Sequence, residues 1–344
     1  MLQNSIISQI TTKVETLALK TPFITALRRV ENIEFVRVHV LLNDGKIGIG
    51  EAPATFAITG EDIEIILDSI SQVKDSFVGL SPTMALEKLH SLSIGSSAKA
   101  SLDMAFMSLI APFKLLHTQS IKTDITISLN PKEKMLHDAR VAFENGMDIL
   151  KIKLGSDISH AIAVTKELSL RVPNAKLFID ANQAWSLKES LVYVNALKDI
   201  KIELIEQPVH ADDLEGLKTI TEASSIPILA DEATFTLSDV KKVMQSRSAD
   251  MINIKLMKCG GVSRAIEILE YAREKNIVCM LGSMLEGPYS INAALYLAFN
   301  YRDVIKYVDL DSPLLYKEET QELDFFFKGA DIYSSQSSIS PSST

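Results

Sequence analysis

Between about Asp124 and Asp311 short apolar runs alternate with longer amphipathic segments. Eight runs stand out, at residues 124–129, 149–154, 177–182, 202–207, 226–231, 251–256, 277–282 and 306–311. They are rich in Ile, Leu and Val and end in polar residues, the pattern of strands buried on both faces of a parallel sheet. The segments between them, such as PKEKMLHDARVAFENG, carry apolar residues at helical spacing with one buried face. Eight strands joined through helices close into a barrel. The pattern therefore predicts an α/β fold, a (β/α)7β TIM-like barrel over residues 121–318.

The first 120 residues follow a different grammar. SQITTKVETLALKT reads as a strand, and Glu34 to Val40 alternates as a half-buried antiparallel strand does, with Asn43-Asp44-Gly45 as the turn that follows. ALRRVEN, residues 26–32, reads as a polar loop, and PATFAITGED as a second. Three helices follow, EDIEIILDSISQVKDSF, PTMALEKLHSL and SSAKASLDMAFMSLIAPFKLL, the last with Ser96 or Ser97 as its cap. Residues 1–120 are expected to form an α+β capping domain. The segment 319–344 is expected to return to it, its last Ser-rich residues being poorly ordered.

Charge narrows the function classes. The formal charge of −9, with no cluster of Lys and Arg, argues against nucleic acid or an anionic membrane as partner. Cys259 and Cys279 fall in core-like segments and suit a reducing compartment. The start lacks the basic and apolar pattern of a signal peptide, and no apolar run has the length to span a bilayer. A soluble cytoplasmic protein is expected, its state of assembly, monomer or homo-oligomer, left open.

The polar strand ends carry the chemistry. Lys153, Asp180, Glu206, Asp231 and Lys255 recur at intervals of 27, 26, 25 and 24 residues, one strand plus one helix each. Ends of successive barrel strands are where such folds keep their reactive groups. Asp180, Glu206 and Asp231 on neighbouring strands would converge and repel unless a cation is shared, and three carboxylates with open positions suit Mg²⁺. The alternative is three separate helix caps. Lys151 and Lys153 point to one face of their strand. At roughly 7 Å and an effective dielectric near 20 their repulsion is about 2 kcal/mol, enough to bring a neutral Lys153 within reach as a general base. Lys255 ends a strand four positions round the ring, so the two lysines would flank a substrate carbon from opposite sides, as inversion of that carbon requires. A structural ion pair is the other reading of Lys255. Lys258, three residues on, is carried past the strand end.

Asp309 and Asp311 repeat the i, i+2 spacing with negative charge. They are expected across the barrel from the acidic trio, too far to share its ion, where they would suit an ammonium. Arg28, in the ALRRVEN loop, offers a bidentate fork to a carboxylate above the mouth, or is simply a solvated charge.

The set LKIKLG, DANQAW, EQPV, ADEA, NIKLMKCGG and VDLDSP closely resembles the muconate-lactonising branch of the enolase superfamily. Within that branch the chain looks like a dipeptide epimerase of the L-Ala-D/L-Glu type. The resemblance implies one Mg²⁺ held by Asp180, Glu206 and Asp231, with Lys153 and Lys255 as paired acid/base residues and Lys151 tuning Lys153. It implies further that Asp309 and Asp311 bind the dipeptide's ammonium and that Arg28 contacts a glutamate side chain. The reaction would be a 1,1-proton transfer through an enolate. Alternatives are an o-succinylbenzoate synthase or muconate cycloisomerase of the same branch, or a non-catalytic barrel that binds peptides.

Overall fold

The computed structural model describes residues 5–115 and 120–335; the end of the Ser-rich tail, residues 336–344, lies outside them. The chain opens on a three-stranded antiparallel sheet of β1 (Ile7–Ile24), β2 (Arg29–Leu42) and β3 (Ile47–Pro53). The loop expected over residues 26–32 is shorter than predicted. Phe23 pairs with Val30 and Ile24 with Arg29, so Arg29 to Asn32 belong to β2 and a tight turn carries Arg28. Polar residues there do not prevent strand pairing because that end of the hairpin is exposed.

Four helices follow: α1 (Phe56–Thr59), α2 (Ile63–Val73), α3 (Pro82–Ser91) and α4 (Ser96–Ile110). Helix α4 lies on β3, and Gly50 makes the fit possible, since a Cβ there would stand 1.9 Å from Ser101 O. Neither Ser96 nor Ser97 caps α4. Gly95 is the capping position, and the buried carboxylate of Glu61 takes the free N–H groups of Ser97 (2.7 Å) and Ala98 (3.1 Å) instead. An acid at a helix N-terminus also answers the helix dipole, and a remote one escapes a search for local caps.

After a short β4 (Ile121–Lys122) the barrel strands come in the expected runs: β5 (Ile125–Ile127), β6 (Ile149–Lys153), β7 (Lys176–Asp180), β8 (Leu204–Glu206), β9 (Ile228–Ala230), β10 (Met251–Lys255), β11 (Val278–Gly282) and β12 (Ile305–Asp309). They form one eight-stranded sheet in chain order, each neighbour parallel. The seam between β5 and β12 is held by Asp124 N–H to Val308 O (3.2 Å) and by Thr123, whose hydroxyl accepts from Leu310 N at 3.0 Å. The connecting helices are α5 (Lys132–Glu144), α6 (Ile158–Arg171), α7 (Leu187–Ala196), α8 (Leu214–Ala223), α9 (Leu237–Ser246), the short α10 (Leu256–Cys259), α11 (Val262–Lys275) and α12 (Pro288–Asn300), with α13 (Ser312–Leu315) after β12.

Inside the barrel, alternate residues of each strand point to the axis. Their lower set is apolar: Ile149, Phe178, Leu204, Leu229, Met251 and Met280 form one buried cluster. Moving up the same strands, the inward positions become Lys151, Lys153, Asp180, Glu206, Asn253 and Lys255, all buried. The barrel is thus an apolar floor under a charged ceiling. The end of the chain forms a hairpin of β13 (Phe325–Lys328) and β14 (Asp331–Ser334), which pairs with β4. Just before it Glu322 forks onto Arg37 of β2 with two 2.8 Å bonds. Leu19, Ile33 and Phe35 of the N-terminal sheet pack on Leu285 and Tyr316, seating the cap over the barrel mouth. Among the described residues no helix is long and apolar enough to cross a membrane.

Candidate active site

Strand register sets the levels of the site. Lys153, Asp180 and Glu206 pair across β6, β7 and β8, and Lys255, Gly282 and Asp309 pair across β10, β11 and β12. Asp231 follows β9 by one residue. Gly282 is required by its neighbours, since a Cβ there would stand 2.7 Å from Asn253 Oδ1 and 3.1 Å from Lys255 Cε. Its lack of a side chain is what leaves Lys255 room to rise into the mouth.

The chain turns sharply as β7 and β8 end. Asn182, Gln183 and Gln207 adopt positive φ of 43°, 65° and 36°, conformations that cost on the order of 1–3 kcal/mol each outside glycine. The return is a set of aimed groups. Asn182 N–H donates to Asp180 Oδ1 at 2.9 Å. Gln207 Oε1 accepts from the N–H of Asp231 (3.0 Å) and Ala233 (3.1 Å), tying the end of β8 to that of β9.

The acids and lysines are interleaved. Lys153 Nζ lies 2.5 Å from Asp180 Oδ2, and Lys255 Nζ lies 2.7 Å from Asp231 Oδ2. Lys151 Nζ touches Asp309 Oδ2 (2.6 Å), Glu206 Oε2 (2.7 Å) and Asp180 Oδ2 (3.2 Å). Two expectations are corrected here. Lys151 is no bare charge pressing on Lys153: burial works against its proton, but the three surrounding carboxylates outweigh it and hold its pKa well above the usual lysine range. Asp309 does stand on β12, opposite β8 in the ring as expected, but it is not out of reach, because one ammonium touches both it and two of the acidic trio, Asp180 and Glu206. A barrel of eight strands is narrow enough for side chains from strands two or three apart to meet.

Asp311 is off the strand altogether. It opens α13, and its Oδ2 accepts the Thr126 N–H at 2.7 Å. Burial and the nearby Asp309 raise its pKa to about 6. Lys258 lies past the end of β10, as its position indicates, yet it returns to the site. The single turn of α10 folds it back, so that its ammonium lies 2.6 Å from Asp231 Oδ1 and donates to Asp231 O (2.5 Å) and Asn253 O (2.9 Å). Burial opposes the charge of Asp231, which nonetheless sits far below the usual range because Lys255 and Lys258 flank it.

Two more residues join the site that sequence reasoning did not assign. Asn253, two residues before Lys255 and so on the same face, donates to Glu206 Oε1 at 2.8 Å. Glu232 is buried, accepts from Asn182 Nδ2 at 3.2 Å, and is raised to about 8 by burial and the charge of Asp231. The i, i+2 rule was signal enough for Asn253; for Glu232 there was only its place beside Asp231. His210 is an exposed loop residue, and Trp185 packs on Tyr193 while donating to Gly155 O at 2.9 Å.

Several of these groups line a narrow cavity between barrel and cap. Lys153, Lys255, Asp231, Asp309 and Asp311 form its floor and sides; Phe23, Leu27, Arg28 and Ile58 come down from the cap. Arg28 keeps partial exposure, yet its guanidinium is desolvated enough to bring its pKa down to about 10. Among the described residues no carboxylate pairs with it.

The donor set fits a hard divalent cation. Asp180, Glu206 and Asp231 are buried carboxylates at adjacent strand ends, and Glu206 Oε2 and Asp231 Oδ1 are met by lysine ammonium groups, Lys151 and Lys258. The ammonium of Lys151 bridges Asp180 and Glu206, so the two are aimed where one cation serves both. As placed, each acid leans on a lysine, and among the described residues no three acidic side chains are drawn to ligating distance of one point. The fit is one of donor chemistry.

A parallel barrel with acids at three successive strand ends, lysines on opposed strands and a cap over the mouth is the architecture of the enolase superfamily. The family described as enolase C-terminal domain-like matches residues 134–332. The L-amino acid-D/L-Glu epimerase of Sulfurimonas denitrificans is 58% identical over 336 residues, 95% of this chain and 98% of that protein. Among solved structures, a substrate-liganded complex of the L-Ala-D/L-Glu epimerase from Bacillus subtilis has a TM-score of 0.90 at 38% identity, covering 96% of both chains. A dipeptide epimerase from Enterococcus faecalis V583, complexed with Mg and L-Leu-L-Tyr, has a TM-score of 0.86 at 34% identity, over 91% of this chain and 92% of that one. The chain belongs to the enolase superfamily and, within it, to the epimerase group these relatives represent, which are isomerases.

Proposed function

We propose that this chain is a Mg²⁺-dependent dipeptide epimerase that inverts the α-carbon of the C-terminal residue, with L-Ala-D/L-Glu as substrate. One observation carries the reading: Lys153 and Lys255 rise from strands four apart in the ring into a single cavity. The names of the relatives support it, and so does the Mg bound in the E. faecalis complex.

Asp180, Glu206 and Asp231 would hold the ion. Bound there, it supplies positive charge beside the substrate carboxylate, offsetting the negative charge that grows there as the α-proton leaves. For one epimer Lys153, as the free amine, takes the α-proton while Lys255, as the ammonium, gives one to the opposite face; for the other epimer the roles reverse. Lys151 fixes Asp180, Glu206 and Asp309 in one frame below the reacting carbon. Asp309 and Asp311 receive the dipeptide ammonium, and Arg28 receives the glutamate side chain from above.

The test is incubation of a dipeptide library with protein and Mg²⁺ in D₂O. Dipeptides ending in Glu are expected to gain one dalton, and uptake confined to non-peptide acids would remove the reading. Such acids are the substrates of o-succinylbenzoate synthases and muconate cycloisomerases. They lack an ammonium to meet Asp309 and Asp311 at the mouth. A barrel that merely binds peptides would show Mg-dependent affinity and no exchange. Arg28→Ala is expected to raise KM for L-Ala-L-Glu about tenfold or more, the worth of a charge-assisted contact, and to affect dipeptides ending in neutral residues much less. Equal losses in steady-state kinetics would show that Arg28 is not the selector.

A further inference from the structure

Asp124 plays no part in the reactions just described, yet it lies against the residues that perform them. It precedes β5, and its N–H bond to Val308 O sets it beside Asp309 where the first and last barrel strands meet. Two residues on, and so on the same face, Thr126 lines the cavity. The Asp124 carboxyl is fully buried, and neither of its oxygens has a hydrogen bond. What faces it is the carboxyl of Asp309, with Asp311 and Lys151 as the other charges at hand. Lys151 is already engaged with Asp309, Glu206 and Asp180.

Two ionised carboxyls set face to face have acceptors only. In a buried seam that contact is repulsive, and one proton placed between them turns it into a donated hydrogen bond. The surroundings decide where the proton resides. Burial, with the charges of Asp309 and Asp311, drives Asp124 well above the usual carboxylate range. Asp309 is buried too, but Lys151, Lys255 and Lys153 together hold it below that range.

We propose that Asp124 is a positioning residue of the ammonium subsite: as a neutral acid it donates to Asp309 and fixes the carboxylate that receives the substrate's N-terminus. The inference rests on the dipeptide reading given above. It makes the seam of the barrel part of substrate recognition, with Asp124 acting through Asp309 without touching the dipeptide.

Steady-state kinetics with L-Ala-L-Glu and Mg²⁺ test it through two variants. Asp124→Asn keeps a neutral N–H donor and is expected to hold KM and kcat within about twofold of the parent, whereas Asp124→Leu removes the donor and is expected to raise KM about tenfold with a smaller change in kcat. An Asn variant as impaired as the Leu variant would show that a charge or general packing matters there, and would overturn the proposal. So would a Leu variant that loses kcat and leaves KM alone, or one with unchanged kinetics. Should the Leu variant fail to fold, the Asn variant decides by itself, parent-like KM supporting the proposal and a raised KM overturning it. A parent protein that exchanges no dipeptide α-proton removes the functional reading and this inference with it; an active parent with an impaired Asn variant removes only the inference.

Discussion

Lys153→Ala and Lys255→Ala are each expected to lower the rate of epimerisation by about 10²–10⁴-fold, the usual contribution of a positioned acid or base. The two variants should differ in what survives. With one lysine gone, the remaining one still reaches the face it serves, so each variant should wash out the α-proton of one epimer in D₂O and leave the other untouched. The surviving epimer should be opposite in the two variants. Proton NMR of L-Ala-L-Glu and L-Ala-D-Glu, incubated separately with each variant and Mg²⁺, reads this directly. Full epimerisation by either variant, or exchange of both epimers by each, would refute the two-base scheme.

Asp231→Ala carries the second large effect, and it reaches stability as well as activity. The carboxylate stands between two buried ammonium groups, Lys255 at 2.7 Å and Lys258 at 2.6 Å. Removing it leaves both charges without their main partner. Truncating one member of a buried pair costs about 3–5 kcal/mol, and here one acid serves two bases. Urea unfolding in the absence of metal is expected to show a loss of that size, and calorimetric titration is expected to show weakened Mg²⁺ binding. Stability within about 1 kcal/mol of the parent, a value typical of exposed pairs, would mean that the two lysines do not depend on Asp231.

What could be read from the chain alone divides by the range of the interaction. The barrel strands were legible because a strand buried on both faces leaves a continuous apolar run, and each such run ended in the polar group that now stands at the mouth. Register along one strand was legible too, which is why Lys151, Lys153 and Lys255 face the axis as their spacing requires. Distances between strands were not legible. That Asp309 and Glu206 share one ammonium depends on the bore of the barrel, a property no single strand encodes. The return of Lys258 to Asp231 was not legible because it depends on the turn of α10, and Asp311 was misplaced because the strand stops two residues earlier. Glu61 was overlooked as the cap of α4 because it acts from 36 and 37 residues away. Asp124 reads as an ordinary polar strand start until Asp309 is brought against it.

The clasp between Arg37 and Glu322 joins partners 285 residues apart, and Leu19 forms its bridge with Tyr316 over nearly the same span. During synthesis the N-terminal hairpin leaves the ribosome long before either partner has been made. Its apolar surface at Leu19, Ile33 and Phe35 must therefore wait uncovered while the whole barrel is translated, an interval in which nascent chains are exposed to aggregation. The hairpin that covers the barrel mouth is thus made before the barrel and secured only after it.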